Sequence, residues 1–157
     1  MRIAIGSDEK THLTSAVAKD LRERGHTLQL HGALSAGESL WPAVGQAVGE
    51  QIASGKCREG ILFCWTGTGV CIAANKVPGV RAALCLDAET AKGARRWDHA
   101  NVLVMSLRST PEPVAKEILD AWFATSYSSK KEDLRAVAMV RQMERKYSRV
   151  KTSPSKK

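Results

Sequence analysis

Residues 60–69 read Gly-Ile-Leu-Phe-Cys-Trp-Thr-Gly-Thr-Gly, an apolar run that passes directly into a turn rich in glycine and threonine. Residues 60–64 lack the polar and apolar alternation of a half-exposed strand, so they predict a strand covered on both faces. A helix from about Val70 to Lys76 is predicted to follow, and Pro78-Gly79 ends it. A buried strand that turns at once into a helix is typical of α/β proteins with a parallel sheet.

On both sides of this stretch, short apolar strands alternate with amphipathic helices about five times. The predicted strands are residues 3–5, 27–30, 60–64, 81–86 and 101–105. The predicted helices cover residues 13–21, 42–52, 70–76, 88–96, 113–125 and 131–147. This alternation predicts a doubly wound, mostly parallel five-stranded sheet between two helical layers. Because no internal repeat or linker interrupts residues 1–148, we expect them to form a single domain.

The composition excludes several classes of protein. The chain has 157 residues, of which 43% are hydrophobic and 25% charged, so a wholly disordered, collagen-like or disulfide-scaffold protein is excluded. No apolar run approaches the ~20 residues of a membrane-spanning helix. The chain opens on a predicted strand and not on a secretory leader. We therefore expect a cytoplasmic protein with no membrane partner.

The net charge of +8 is concentrated at the carboxyl end, where residues 141–157 hold seven basic side chains and one acidic one. Residues 149–157 are predicted to be a disordered basic tail. Such a tail holds nucleic acid only loosely, through phosphates. Because aromatic residues make up only 5% of the chain, the stacking surface of an RNA reader is absent and nucleic-acid binding is not expected.

The turn at Thr66-Gly-Thr-Gly69 has the composition of an anion-binding nest. Its glycines allow a tight turn with bare N–H groups, and the predicted helix adds its positive end. Such a nest binds a phosphate or a developing oxyanion. The turn is neither a Walker A loop nor a G-x-G-x-x-G motif, and a plain strand-to-helix turn without a ligand explains it equally well.

Cys64 closes the predicted strand beside this turn. A thiol near a helix N-terminus is more readily deprotonated and then serves as a nucleophile or a base. No Cys-His-Asn pattern accompanies Cys64, so on its own it is better explained as a buried strand cysteine. No cysteine pair has C-x-x-C spacing, and no metal site is expected.

Other candidates are individually weak. Three basic residues stand at the start of the last predicted helix: Lys130, Lys131 and Arg135. They form either a solvated basic face or a site that binds a phosphate. His12 and His99 lie close to strand ends, where either could face a ligand cleft, although a structural role is favoured for each.

Six segments together resemble the ribose-5-phosphate isomerase B family, which includes the galactose-6-phosphate isomerase subunits, over residue 3 to about residue 135. These segments are Ile3-Ala-Ile-Gly-Ser-Asp8, residues 60–69, Ile72-Ala-Ala-Asn-Lys76, Gly79-Val-Arg-Ala-Ala-Leu-Cys85, Ala100-Asn-Val-Leu103 and Ile118-Leu-Asp-Ala-Trp122. The resemblance implies a Rossmann-like three-layer α/β/α sandwich that forms a homodimer or tetramer. It also implies active sites at the subunit interface, a sugar phosphate as substrate, and no metal or organic cofactor.

The resemblance also implies a chemistry, the interconversion of aldose and ketose phosphates through a cis-enediolate. Cys64 corresponds to the cysteine base of one group of members, since the glutamate of the other group falls at Val70. Thr66 would assist, and the loop N–H groups of Gly67, Thr68, Gly69 and Val70 would stabilise the enediolate. The positions that would bind substrate are Asp8, Glu9, Trp97, His99 and Asn101, and those that would bind phosphate are Lys131 and Arg135.

Several residues depart from the family pattern. Glu9 replaces a histidine after Asp8, and Trp97 replaces the histidine credited with opening a furanose ring. Trp65 replaces the glycine after the base, and Trp41 replaces a tyrosine. We therefore expect a substrate that is not ribose 5-phosphate, or not ribose 5-phosphate alone. One candidate is an altered sugar phosphate, and another is a four-carbon sugar phosphate, which closes no such furanose. The alternative is a catalytically idle homologue that binds a sugar phosphate or a protein partner.

Overall fold

The computed structural model describes residues 1–148, so the predicted basic tail at residues 149–157 lies outside the described residues. The strands are β1 (Arg2–Ser7), β2 (Thr27–Gly32), β3 (Glu59–Cys64), β4 (Ala82–Leu84) and β5 (Val102–Ser106). The helices are α1 (His12–Glu23), α2 (Trp41–Ala53), α3 (Thr68–Ala74), α4 (Ala88–Arg96), α5 (Glu112–Ala124) and α6 (Lys131–Ser148).

All five strands join one parallel sheet in the order β2-β1-β3-β5-β4. The predicted α/β class is therefore confirmed, and the sheet is parallel throughout. β3 lies at its centre, with Ser7 of β1 beside Phe63 and Ser106 of β5 beside Cys64. β4 is shorter than predicted at both ends. Arg81 lies outside it because its amide donates to the Asn101 side chain at 2.8 Å, and the strand ends at Leu84.

Side chains of β3 alternate between two cores, which explains its unbroken apolar sequence. Ile61 and Phe63 pack into the core under α1, α4 and α5. Leu62 and Cys64 pack into the core under α2 and α3. The helices therefore cover both faces of the sheet, and the carboxyl ends of the strands meet at one edge, which we call the carboxyl edge.

Helices α2 and α3 approach each other closely because α2 presents two glycines to α3. A Cβ on Gly45 would lie 2.7 Å from the Ala73 Cβ and 2.9 Å from the Val70 carbonyl oxygen. A Cβ on Gly49 would lie 2.9 Å from a Val77 methyl group. The two helices are therefore in contact backbone to backbone, and this contact fixes the position of α3 against the sheet.

Helix α6 differs from the others because Val137 is its one buried residue. Its exposed apolar side chains are Leu134, Met139, Val140, Met143 and Tyr147. Its last turns contact the chain after α3, where Glu144 accepts from the Gly79 amide at 3.3 Å. Within residues 1–148, no helix has both the length and the apolar character that crossing a bilayer requires.

The α2–α3 contact generates a stability prediction. We expect Gly45→Ala to lower the free energy of unfolding by about 1–2 kcal/mol, because overpacking against a backbone oxygen costs about 1–3 kcal/mol and exceeds the gain in helix propensity. Urea unfolding of the variant and the wild type measures the difference. Gly37→Ala is the control, since its nearest neighbour would be the Ser35 hydroxyl at 3.3 Å. A Gly45→Ala protein as stable as the wild type would show that α3 moves aside freely.

Candidate active site

Cys64 lies at the carboxyl edge, on the last residue of the central strand. Its side chain is 5% exposed and packs among residues of the α2–α3 core. Ser7, the last residue of β1, pairs with Phe63, so Asp8 follows β1 directly at the edge where Cys64 ends β3. This is the switch point of the sheet, where the connections after β1 and β3 leave on opposite faces and ligands of α/β folds commonly bind.

The turn after Cys64 leads into the first turn of α3. Gly67 has φ +79, and a Cβ there would lie 2.5 Å from a Leu84 methyl group, so this position requires glycine. The Gly67 amide donates to the Cys64 carbonyl at 3.1 Å. The amides of Thr68, Gly69 and Val70 follow in the first turn of α3, where N–H groups have no intrahelical acceptor.

The chain after β5 holds the Cys64–Trp65 peptide in place. The Leu107 amide donates to the Cys64 carbonyl and the Arg108 amide to the Trp65 carbonyl, each at 3.0 Å. The Ser106 hydroxyl also donates to the Trp65 carbonyl, at 2.9 Å. These bonds fix the backbone that carries Cys64. The loop Ser106-Leu-Arg108 follows a predicted strand, and the sequence predicts it at the ligand-binding edge because ligands of such folds bind at the carboxyl ends of the strands.

Asp8 shares this edge and has an unusual environment. Its Oδ1 atom is buried and has no hydrogen-bond partner among the described residues. Burial raises the pKa of Asp8, with a smaller contribution from the neighbouring Glu9 charge. The Glu9 side chain is exposed, and its amide donates to the Ser7 hydroxyl at 3.3 Å. Asp8 therefore has an unsatisfied acceptor at the carboxyl edge, the kind of group that could bind a hydroxyl.

Two indoles border the turn. The Trp41 ring lies against Gly69, where a Cβ would come within 3.0 Å of it. Trp65 is 57% exposed and follows Cys64 directly. Thr66 and Thr68 share a hydrogen bond between their hydroxyls at 2.7 Å. The turn is therefore bordered by large flat side chains and small hydroxyls.

Three of the predicted substrate-binding residues lie at the opposite, amino edge of the sheet, because they precede β5. Asn101 donates to the Gly79 carbonyl at 2.9 Å and accepts from the Arg81 amide, so its amide group is used within the chain. His99 is buried, with a ring nitrogen 3.1 Å from the Ser128 carbonyl. Trp97 is exposed at the end of α4.

Lys131 and Arg135 are exposed on the first turns of α6, near the same amino edge. A cavity of about 510 Å³ separates α6 from Trp97 and Asp98. Partial burial raises the pKa of Asp98, and Asp133 of α6 contributes to the rise. Asp98 was missed by sequence analysis, although it directly follows a predicted site residue.

The predicted site residues thus form two groups. Asp8, Cys64 and the turn at residues 66–70 lie at the carboxyl edge, and the group around Trp97 lies at the amino edge. The five residues of β5 separate these edges by about 17 Å. The remaining candidate, His12, pairs with Glu112 of α5 at 2.8 Å. Within residues 1–148, no three His, Cys, Asp or Glu side chains converge as a metal site.

The fold is an α/β sandwich with a parallel sheet, and Cys64 and the glycine-rich turn lie at its switch point. The Ribose/Galactose Isomerase family matches residues 3–140, and the chain belongs to this family. D-erythrulose-4-phosphate isomerase of Pectobacterium atrosepticum is 36% identical over 129 residues, which cover 81% of this chain and 85% of that protein.

Two further comparisons agree. Ribose-5-phosphate isomerase B of Escherichia coli is 33% identical over 139 residues, which cover 88% of this chain and 93% of that protein. The structure of ribose-5-phosphate isomerase B from Clostridium thermocellum superposes with a TM-score of 0.86 at 35% identity, over 94% of this chain and 99% of that one. The predicted family and the enzyme class, aldose–ketose isomerase, are confirmed.

The raised pKa of Asp8 generates a pH prediction. Asp8 binds its proton more tightly in the native protein than in the unfolded chain, so its ionisation destabilises the fold as pH rises through the raised pKa. We expect Asp8→Asn to be more stable than the wild type at neutral pH, by less than about 1 kcal/mol because the carboxylate is partly solvated. The gain should vanish below about pH 4, where Asp8 is protonated in both states.

Urea unfolding between pH 3.5 and pH 7 (a range set around the ordinary carboxyl pKa of about 4) measures this difference. Asp87→Ala is the control of opposite sign, since the Asp87 carboxylate accepts from the Thr90 amide at 2.7 Å and this bond lowers its pKa. That variant should lose stability at neutral pH, and the loss should shrink as pH falls. If the difference in unfolding free energy between Asp8→Asn and the wild type did not change with pH, ionisation of Asp8 would not destabilise the native protein.

Proposed function

We propose that this protein interconverts a four-carbon aldose phosphate and its ketose through a cis-enediolate, with Cys64 as the base. The observation that carries the proposal is the position of Cys64, at the end of the central strand beside an unsatisfied Asp8 oxygen and the first amides of α3. The relative named D-erythrulose-4-phosphate isomerase acts, by its name, on a substrate of this size.

The proposed reaction moves one proton between C1 and C2. The Cys64 thiolate removes the C2 proton of the aldose, and negative charge develops on the carbonyl oxygen. The amides of Thr68, Gly69 and Val70 stabilise this oxyanion, because they are held in the first turn of a helix. The Gly67 amide is left out, since it donates to the Cys64 carbonyl. The thiol then returns the proton to C1, and the O2 hydroxyl proton passes to O1 with the assistance of Thr66, so that C2 becomes the ketone carbonyl. Asp8 binds another substrate hydroxyl.

The tryptophans support a short substrate. A four-carbon aldose 4-phosphate carries its phosphate on the oxygen that would otherwise close a furanose, so it needs no ring opening. The Trp97 indole donates a hydrogen bond but cannot act as a base at neutral pH. Trp65 and Trp97 are each more than half exposed, and in the proposed site their indoles would occupy space that a longer sugar needs.

We infer that each site is completed by a second copy of the chain. A sugar phosphate is too short to span the 17 Å or so between the carboxyl edge and the amino edge of one protomer. In a homodimer or tetramer, Trp97, Lys131 and Arg135 of one copy would meet Cys64 of another. The exposed apolar side chains of α6 and of Trp41 and Ile72 supply surface for such contacts.

A cytoplasmic location belongs to the same proposal, because a thiolate base needs a reducing compartment. All four cysteines are free in the structure. The proposed function includes no binding of nucleic acid and no binding of membranes.

The experiment that tests the proposal is a panel of four-, five- and six-carbon sugar phosphates, each incubated with the enzyme in deuterated water. Isomerisation through an enediolate places solvent deuterium on carbon in the product or in recovered substrate. Exchange with none of the panel would favour the idle homologue that binds a sugar phosphate or a protein partner.

Cys64→Ala should abolish isomerisation while the protein stays folded, because a carbon base contributes about 10² to 10⁴-fold or more to the rate. Steady-state turnover and circular dichroism measure the two effects. Cys57→Ala is the matched control, since Cys57 is buried too but lies before β3 and hydrogen-bonds to Gln29. Near wild-type turnover in Cys64→Ala would exclude Cys64 as the base.

Substrate length gives a separate prediction. Four-carbon phosphates should be turned over with higher kcat/KM than ribose 5-phosphate, and Trp97→His should improve ribose 5-phosphate selectively by restoring a ring-opening base. Steady-state kinetics of the wild type and of Trp97→His, each on a four-carbon aldose phosphate and on ribose 5-phosphate, measure this. Efficient wild-type turnover of ribose 5-phosphate that His99→Ala removes would overturn the prediction, since His99 would then have the ring-opening role.

A further inference from the structure

A buried network at the amino edge has no part in the chemistry described above. Glu59 opens β3 as a carboxylate that is 4% exposed, directly before an apolar strand. The Arg95 guanidinium donates to Glu59 Oε1 at 2.8 Å, and the Trp122 indole donates to Oε2. Arg95 also lies over the Trp122 ring, 4.8 Å from its centroid. The ion pair therefore holds the Arg95 side chain in one position.

Arg95 connects two segments that are distant in sequence. One terminal nitrogen donates to the Ala100 carbonyl at 2.8 Å and to the Tyr127 hydroxyl at 2.9 Å. The Tyr127 hydroxyl in turn donates to the Ala100 carbonyl at 3.2 Å. The chain after α4 is thus tied to the chain between α5 and α6 through one shared group of atoms.

His99 strengthens this connection. Its ring stacks on Tyr127 with centroids 4.5 Å apart and an angle of 7°, and its Nε2 atom lies 3.1 Å from the Ser128 carbonyl. The Ser128 amide donates to the Arg96 carbonyl at 2.9 Å. His99 has φ +51, a left-handed conformation that non-glycine residues adopt only when their surroundings hold them there. We call Glu59, Arg95, His99 and Tyr127 the amino-edge clamp.

Both clamped segments lead directly to residues of the proposed recognition group. Trp97 and Asp98 lie between Arg95 and His99, and Lys131 begins α6 four residues after Tyr127. Resting on the function proposed above, we propose that Arg95 and Tyr127 are positioning residues for phosphate recognition. They fix the first turn of α6, with Lys131 and Arg135, relative to the Trp97–Asp98 turn, and so set the distance between the phosphate and the sugar of the bound substrate.

Tyr127→Phe tests this with little disturbance, because it removes the shared hydroxyl and keeps the ring that stacks on His99. Tyr147→Phe is the matched control, since Tyr147 is exposed near the end of α6. In Tyr127→Phe, amide hydrogen exchange should rise at least about fivefold in residues 96–101 and 126–131, because the variant loses the bond that the hydroxyl accepts from Arg95 and the bond that it donates to Ala100. Exchange in residues 65–70 should not change. KM for erythrose 4-phosphate should rise about three- to tenfold with kcat within twofold, since a positional error weakens a charge-assisted contact only partly.

A second variant guards against a purely local effect. Arg95→Lys keeps a positive charge beside Glu59 but lacks the planar fork, in which one terminal nitrogen donates to Glu59 and the other to Ala100 and Tyr127. It should therefore show the same rise in KM. The dissociation constant for inorganic phosphate, measured by titration calorimetry, should rise in parallel in both variants and stay constant in Tyr147→Phe.

The calorimetry and the exchange experiment do not depend on turnover. A wild-type enzyme that binds phosphate but isomerises no sugar phosphate would overturn the proposed function, while these two measurements would still decide the positioning role. Unchanged exchange in residues 126–131 of Tyr127→Phe would overturn the clamp. Faster exchange with unchanged phosphate affinity and KM would overturn the positioning role and leave the clamp as a structural feature only.

Discussion

The parallel pairing of β3 with β1 on one side and β5 on the other is the constraint on which the site depends. It places the ends of three strands at one edge and sets Cys64 beside Ser106. The amides after β5 then reach back to the carbonyls of Cys64 and Trp65. A thiol that is to act as a base needs a fixed backbone, and here that backbone is bonded from the strand, the following turn and the neighbouring loop.

A second requirement is the close approach of α2 to α3. Helix α3 has only seven residues and is too short to be stable alone. Gly45 and Gly49 let α2 contact its backbone, and the Trp41 ring covers Gly69 at the end of the same interface. The direction in which the first amides of α3 point is therefore determined by α2, a helix that carries none of the proposed chemistry.

Local sequence patterns predicted the elements that depend on local physics. The unbroken apolar run at residues 60–64 predicted a strand with two covered faces, and the glycines at residues 67 and 69 predicted a tight turn into a helix. The role of His99 could not be found in this way, because its partners are Tyr127 and Ser128. Asn101 likewise bonds backbone groups about 20 residues away. The periodicity and spacing of residues in a single sequence do not reveal contacts between residues that are far apart along the chain.

Sequence analysis did not single out Glu59, the one member of the amino-edge clamp that a local signal indicates. Glu59 stands directly before five buried residues, and a carboxylate in that position must have a buried partner, because an unpaired buried charge is too costly to keep. The partner, Arg95, is 36 residues away and could not be named from the sequence. The fold thus contains two rigid groups at opposite edges of one sheet: hydrogen-bonded loops hold Cys64 at one, and an ion pair holds the Trp97 turn at the other. A sheet keeps its two edges a fixed distance apart, so under the proposed function the two groups would reach one substrate only if a second copy of the chain brought its amino edge to the first copy's carboxyl edge.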